Sequence, residues 1–238
     1  MRKDKGFTLI ELMIVIAIIA IIAAIAIPGL LSSQRASNER NASASLKTLT
    51  SAEADFRSND RDGNKVNDFW TLDVSGLYGV CPVGSTEMIK LIEISVAGAD
   101  SDHGNGTSGS ATPTVATETA VGFYTTASPK AGYWYRAIES DDDVTVANYK
   151  QNTGGTGWAG TAASFNFSKF GFESYPDSRS AGRNYFLVNE GNTIFKRGVA
   201  QNYAKPAASA AVTSLVGTSA TTSFPNDSSL KSDYSKLD

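Results

Sequence analysis

Residues 5–31, KGFTLIELMIVIAIIAIIAAIAIPGLL, constrain this chain more than any other stretch, because one carboxylate stands near the start of an otherwise almost unbroken apolar run. From Leu12 to Ile27 every residue is apolar, and about 20 such residues suffice to cross a bilayer as a helix. A charged side chain in such a segment costs roughly 2.5 to 3.5 kcal/mol on insertion scales, so Glu11 calls for a partner. A secretory signal peptide would share the basic start of Arg2, Lys3 and Lys5, and Ala24-Ile25-Ala26 fits a cleavage site. It would not carry Glu11, and its apolar core would be only about 7 to 15 residues long. An uncleaved anchor is the other simple reading. In every version the basic residues ahead of the helix hold the N-terminus in the cytoplasm and place the chain after Leu31 on the far side of the membrane.

A short basic leader ending in Gly6, then Phe7-Thr8-Leu9-Ile10-Glu11 and an apolar helix, resembles the type IV pilin and pseudopilin superfamily. The resemblance implies cleavage by a prepilin peptidase between Gly6 and Phe7, followed by N-methylation of Phe7. Glu11 becomes the fifth mature residue. A buried carboxylate is tolerable when it meets a cation, and the freed amine of Phe7 on a neighbouring subunit is one. Phe7 and Glu11 are therefore the expected polymerisation pair, setting the stagger between subunits.

About 200 residues come after the helix, enough for one core and one head domain. The net charge is −3, and loss of the leader makes the mature chain two charges more negative. That argues against nucleic acid as a partner, which favours a basic patch. Cys81 is the single cysteine, so no intrachain disulfide can form. Many type IVa major pilins close their C-terminal region with a disulfide, whereas major pseudopilins of type II secretion usually lack it. On that resemblance the pseudopilin reading comes first.

The chain divides into a leader (1–6), a transmembrane and polymerisation helix (7–31), an amphipathic continuation (32–57) and a head (58–238). Between 32 and 57 there is no Pro or Gly, and Ala42, Leu46, Leu49 and Phe56 recur at helical spacings. Pro28 predicts a kink or local melting between the two helical halves. Arg35, Glu39, Arg40, Lys47 and Glu53 are expected on a solvated face.

Residues 58–68, SNDRDGNKVND, form an oxygen-rich loop around a glycine. Asp60, Asp62, Asn64 and Asp68 are candidate ligands for calcium, a hard cation that takes oxygens at short alternating spacings around a sharp turn. The stretch lacks the first acid and terminal Glu of a full EF-hand loop, and Asx turns explain the same residues without metal. On sequence alone the metal-free loop is the simpler reading, with Ca2+ as the candidate cofactor.

Segment 98–119, dense in Gly, Ser and Thr, reads as an exposed loop, and 207–238 as a polar tail. Strand-like stretches are 120–126, 132–138, 144–149 and 163–172. A hairpin is expected from 184–188 and 193–196, joined through Asn189-Glu190-Gly191-Asn192. The runs Gly132-Tyr133-Trp134-Tyr135-Arg136, Phe170-Gly171-Phe172 and 182–188 resemble the strands that cover the long helix in pseudopilin-related heads. Their aromatics suit core packing better than a ligand box.

Little points to catalysis. His103 is the single histidine, in the Gly-rich segment, which disfavours His-dependent triads or zinc sites, and no phosphate-binding fingerprint occurs. Asp141, Asp142 and Asp143 read as a solvated charge run. The sequence thus predicts no enzyme but an α+β lollipop, a long N-terminal helix packed on an antiparallel-sheet head. It would be a structural subunit of a helical filament, most simply a pseudopilin of a type II secretion system. A type IV pilus subunit for adhesion or motility is the alternative, and a membrane-anchored domain that never polymerises the second. The expected partners are copies of itself, other pilins or pseudopilins, the prepilin peptidase, the inner-membrane assembly platform and the membrane. The chain would cross the inner membrane once, with its head in the periplasm or on the cell surface.

Overall fold

Thr8, a small hydroxyl residue three positions ahead of a glutamate, starts the long helix. Its backbone is extended, its Oγ1 accepts from the Glu11 N–H at 3.4 Å, and Glu11 Oε2 accepts from the Thr8 N–H at 2.9 Å. This reciprocal capping box satisfies two donors that a helix start otherwise leaves open. In this computed structural model, which describes residues 7–100, 117–118, 127–138, 140–141, 165–199, 223–224 and 234–237, the helix α1 spans Leu9–Ser58. Its 50 residues extend about 75 Å at 1.5 Å per residue. The helix is continuous to its expected end and, of the kink or local melting expected at Pro28, it shows no melting there. Proline removes one donor, and the long helical stretches on both sides hold that turn cooperatively.

Beyond α1 the elements are short until the sheet. They are β1 (Phe69–Trp70), α2 (Gly76–Gly79), β2 (Val80–Cys81), α3 (Ile94–Ala97), β3 (Thr117–Glu118), β4 (Tyr133–Ala137), β5 (Ser140–Asp141) and β6 (Phe165–Asn166). Then come β7 (Gly171–Pro176), β8 (Asn184–Asn189), β9 (Ile194–Gly198), β10 (Ser223–Phe224) and β11 (Ser235–Leu237). The principal sheet is antiparallel with strand order β11-β9-β8-β7-β4. The architecture is α+β, a long apolar N-terminal helix with a five-stranded antiparallel sheet.

The expected hairpin is β8–β9, with Val188 opposite Ile194. β4 lies within 132–138, and β6 and the start of β7 within 163–172. The expected strands at 120–126 and 144–149 fall outside the described residues. Ala99 and Asp100, which open segment 98–119, are buried, and Thr117–Glu118 pair with β2. In the 207–238 tail, β10 pairs with β5 and β11 forms the sheet edge against β9.

The helix and sheet meet through the stripe seen in the sequence. Ala42, Leu46, Leu49 and Phe56 are buried with Tyr133, Tyr135, Phe172, Phe186 and Val188, which alternate along their strands to face the helix. The opposite sheet face buries Trp134, Tyr175 and Tyr185 together. On that face Arg136 is paired to Glu173 across the β4–β7 register, and both side chains are almost wholly buried. The aromatics are packing residues, as expected of them.

The polar side of the helix differs from expectation. Glu39 accepts hydrogen bonds from the Arg183 N–H and from Asn184 Nδ2, both at 2.8 Å, and Asn38 Nδ2 donates to the Ala181 carbonyl at 2.9 Å. Glu53 is not solvated at all. It is 0 % exposed, and its Oε2 accepts from the Trp70 N–H at 3.1 Å, joining α1 to β1. The spacing explains this, since Leu46, Leu49, Glu53 and Phe56 step by three, four and three along one helical face.

Candidate functional site

Two places on the molecule carry chemistry that the core does not use. The first is the N-terminal half of α1. Phe7, Leu9, Ile10, Leu12, Met13, Ile14, Ile16, Ile18, Ile19, Ile21, Ile22 and Ile25 are all exposed, so nothing in the head covers them. An apolar surface of that length has no stable place in water. It is long and apolar enough to cross a membrane. Glu11 lies within it, and both Thr8 Oγ1, at 2.8 Å, and the Thr8 N–H donate to its Oε2. Phe7 is 90 % exposed, and Gly6 falls outside the described residues. The structure thus places Phe7 and Glu11 at the same end of one helix, with Glu11 serving its own N-terminus.

The second place is the loop that leaves the far end of α1. Asn59 caps the helix through its N–H to the Asp55 carbonyl at 3.1 Å, and Asp55 is bound by Arg61 and Asn59. Asp60, Gly63 and Lys65 all take left-handed backbone angles, with φ of 46°, 70° and 67°, winding the chain into a tight coil. Side chains fasten it from within. Asp60 Oδ2 accepts from Lys65 N–H at 3.0 Å, Asp62 Oδ1 from Asn64 N–H at 3.4 Å, and Asn64 Oδ1 from Val66 N–H at 2.6 Å. The last two are Asx turns, as expected of a metal-free loop, and the first closes the coil over five residues.

They leave other oxygens over. Asp60 Oδ1, Asp62 Oδ2 and both carboxylate oxygens of Asp68 are buried without a hydrogen-bond partner. Burial, followed by the charge of Asp68 and the adjoining Asp60, pushes the Asp62 carboxyl up to about 8. Burial likewise pushes Asp68 up to about 6 against the opposing pull of the Asn64 side chain. Glu53, beneath the loop, is raised well above the usual carboxylate range, first by burial. Among the described residues no three His, Cys, Asp or Glu side chains form a ready-made metal cage. The loop instead presents a mixed set of carboxylates and one amide.

The other candidates resolve simply. Cys81 is buried, with its Sγ directed at the Gly79 carbonyl. His103, Asp142 and Asp143 lie outside the described residues, and Asp141 belongs to β5. Two carboxylates missed in the sequence are structural. Asp100 Oδ2 accepts from the N–H groups of Val74 and Ser75, both at 2.8 Å, and Asp73 Oδ1 from Gly76 N–H at 2.8 Å and Trp70 Nε1 at 3.1 Å. Only the fold brings its donors to Asp100, whereas those of Asp73 lie three residues to either side of it in the sequence.

The N-terminal helix also has a counterpart in known proteins. Residues 1–27 match the family model described as a prokaryotic N-terminal methylation motif. The chain is 46% identical over 54 residues to the type IV major pilin protein PilA of Myxococcus xanthus (strain DK1622). Over this N-terminal segment the chain is similar to type IV pilins. That match covers 23% of the chain and 24% of the relative, so the chain spans about a quarter of the length of the curated relative it matches. No solved structure matches. The likeness lies in the N-terminal segment, where the methylation motif runs into the apolar half of α1.

Proposed function

We infer that this protein is a structural subunit of a helical filament, most simply a pseudopilin of a type II secretion system. The observation that carries the reading is the division of α1, whose C-terminal half is sealed into the head while residues 9–31 remain apolar and uncovered. Packing such helices in a filament bundle removes that surface from water or lipid at roughly 25 cal/mol per Å2 of apolar area in the aqueous case. Cleavage after Gly6 would free the Phe7 amine, which gives Glu11 of an adjacent subunit a cation and fixes axial register. The prepilin peptidase and an inner-membrane assembly platform are the partners that such processing and assembly require. The head would then lie outside the cytoplasm.

The lone buried Cys81 favours the pseudopilin over a disulfide-closed pilin head. The type IV pilin relative favours the alternative, a surface pilus subunit. Mass spectrometry of sheared cell-surface material and washed membranes separates the two. A methylated N-terminal Phe7 peptide confined to membranes is the expected result. Its abundance in the sheared fraction would indicate an extended pilus, and a chain that still begins upstream of Phe7 in both fractions would overturn the filament reading.

A further inference from the structure

We propose that the underside of the head, where α1 meets the loop joining β7 to β8, is a docking surface for the anionic headgroups of a phospholipid bilayer. The helix sets the height of that surface. Residues 32–34 are exposed, and among the described residues the first hydrogen bond between head and helix is at Arg35, whose Nε donates to the Ser180 carbonyl at 3.3 Å. Asn38 and Glu39 fasten Ala181, Arg183 and Asn184 just above it. Arg35 lies four residues beyond Leu31 and so about 6 Å further along the axis, and Arg40 lies about 14 Å beyond it. The polar layer of a bilayer adds about 5 to 8 Å to each side of its hydrocarbon core. A chain anchored through residues 9–31 therefore carries the 177–183 loop at the level of the headgroups. The proposal rests on that membrane reading and not on assembly into a filament.

The charge of this surface fits such a partner. Among the described residues Arg35, Arg40, Arg179 and Arg183 stand around it, with Arg40 and Arg183 exposed. The two carboxylates at the same level are turned into the protein. Glu39 accepts through Oε1 from the Arg183 N–H and through Oε2 from Asn184 Nδ2, and Asp177 Oδ1 accepts from Trp134 Nε1 at 2.8 Å. Beside them a groove of about 180 Å3 opens between α1 and the sheet, lined in part by Glu39, Arg40, Ser43, Asn184, Lys196 and Leu237. Two cations, a hydroxyl and an amide offer donors to phosphate oxygens, and charge-assisted bonds of this kind are the stronger ones. Cations are thus gathered next to the apolar helix in a chain whose net charge is −3. Their attraction to an anionic surface falls off within a Debye length, about 10 Å at 0.1 M salt, so charges at this level are the ones that take part.

The full chain should be reconstituted at one copy per nanodisc, in phosphatidylcholine alone and in phosphatidylcholine with about 30 % phosphatidylglycerol. Amide hydrogen exchange of 177–184 is the readout. We expect exchange there to slow at least about threefold in the anionic discs while 186–188 stay unchanged, and the difference to vanish in about 0.5 M NaCl. The double variant Arg40→Gln, Arg183→Gln should lose the slowing, and because both side chains are exposed the fold is kept. Lys47→Gln, exposed about 10 Å further along α1 than Arg40, should retain it. Equal exchange in the two kinds of disc would overturn the surface, as would slowing that survives in the double variant. Slowing in phosphatidylcholine discs on addition of inorganic phosphate would replace it with a free-anion site, and slowing that needs several copies per disc would replace it with a contact between copies. A chain retained by neither disc would overturn the membrane reading itself, a failure distinct from equal exchange in a chain that is retained.

Discussion

The two halves of α1 are continuous in backbone yet opposite in what stabilises them. Residues 42–56 bury Ala42, Leu46, Leu49, Glu53 and Phe56 against strands of the same chain. Residues 9–31 bury nothing within it, and their apolar side chains face outward around the whole circumference. A helix with one apolar stripe has its partner in its own head, whereas one apolar all round needs lipid or other helices. If the uncovered half is the assembly surface proposed above, folding and assembly draw on separate parts of one element, and either can be damaged alone.

The sharpest break concerns Glu11, because it has a role inside the subunit and a proposed one between subunits. Glu11→Ala or Glu11→Val should leave the chain membrane-bound and abolish most filament yield in shear preparations. Glu11→Gln separates the two roles, since glutamine can complete the capping box but carries no charge. It too should fail to assemble if the charge meets a neighbouring Phe7 amine. Normal filaments from Glu11→Gln would reduce Glu11 to a helix cap, and normal filaments from Glu11→Val would remove it from assembly altogether.

The same truncation placed in each half tests the division directly. Leu46→Ala, at 0 % exposure, should destabilise the head by about 2 to 5 kcal/mol through lost burial and a residual cavity. Ile16→Ala should leave head stability within about 0.5 kcal/mol in detergent, as expected of a substitution that touches no core. Denaturant titrations read by near-UV circular dichroism would report both. Equal losses would mean that the halves form one cooperative unit, and the comparison would fail.

How much of this was legible depends on where each signal resides. The apolar run, the Thr8–Glu11 cap, the stripe through Leu46 and Leu49 and the β8–β9 hairpin are local patterns, and local physics places them. The continuation of α1 to about residue 57 was legible as well, from a stretch without Pro or Gly; that Pro28 leaves the helix unmelted was not, because a single breaker is weighed against the helix on both sides of it. β11 at the sheet edge escaped notice because Ser235, Lys236 and Leu237 have no strand alternation of their own and are positioned by β9. The residues of the carboxylate loop could be read from the sequence. Their unpartnered oxygens could not, since burial at Asp62 and Asp68 arises from chain brought in by the fold.

Glu53 gives the smallest effect and the closest parallel to Glu11, two glutamates on one helix with opposite surroundings. Glu11 serves exposed backbone at the helix start. Glu53 is sealed, with its Oε2 on the Trp70 N–H, and burial raises its pKa well above the ordinary range, so the neutral acid is favoured. If the hydrogen bond and not the charge is what the fold requires, Glu53→Gln keeps the acceptor and should melt within about 0.5 kcal/mol of the wild type. Glu53→Ala strips the partner from a buried backbone donor and should cost about 1 to 3 kcal/mol. Both are measured by the same denaturant titration in EGTA. A Gln variant as unstable as the Ala variant would show that the carboxyl group itself is needed at this position. The two glutamates would then differ only in exposure and not in the kind of work their carboxyls do.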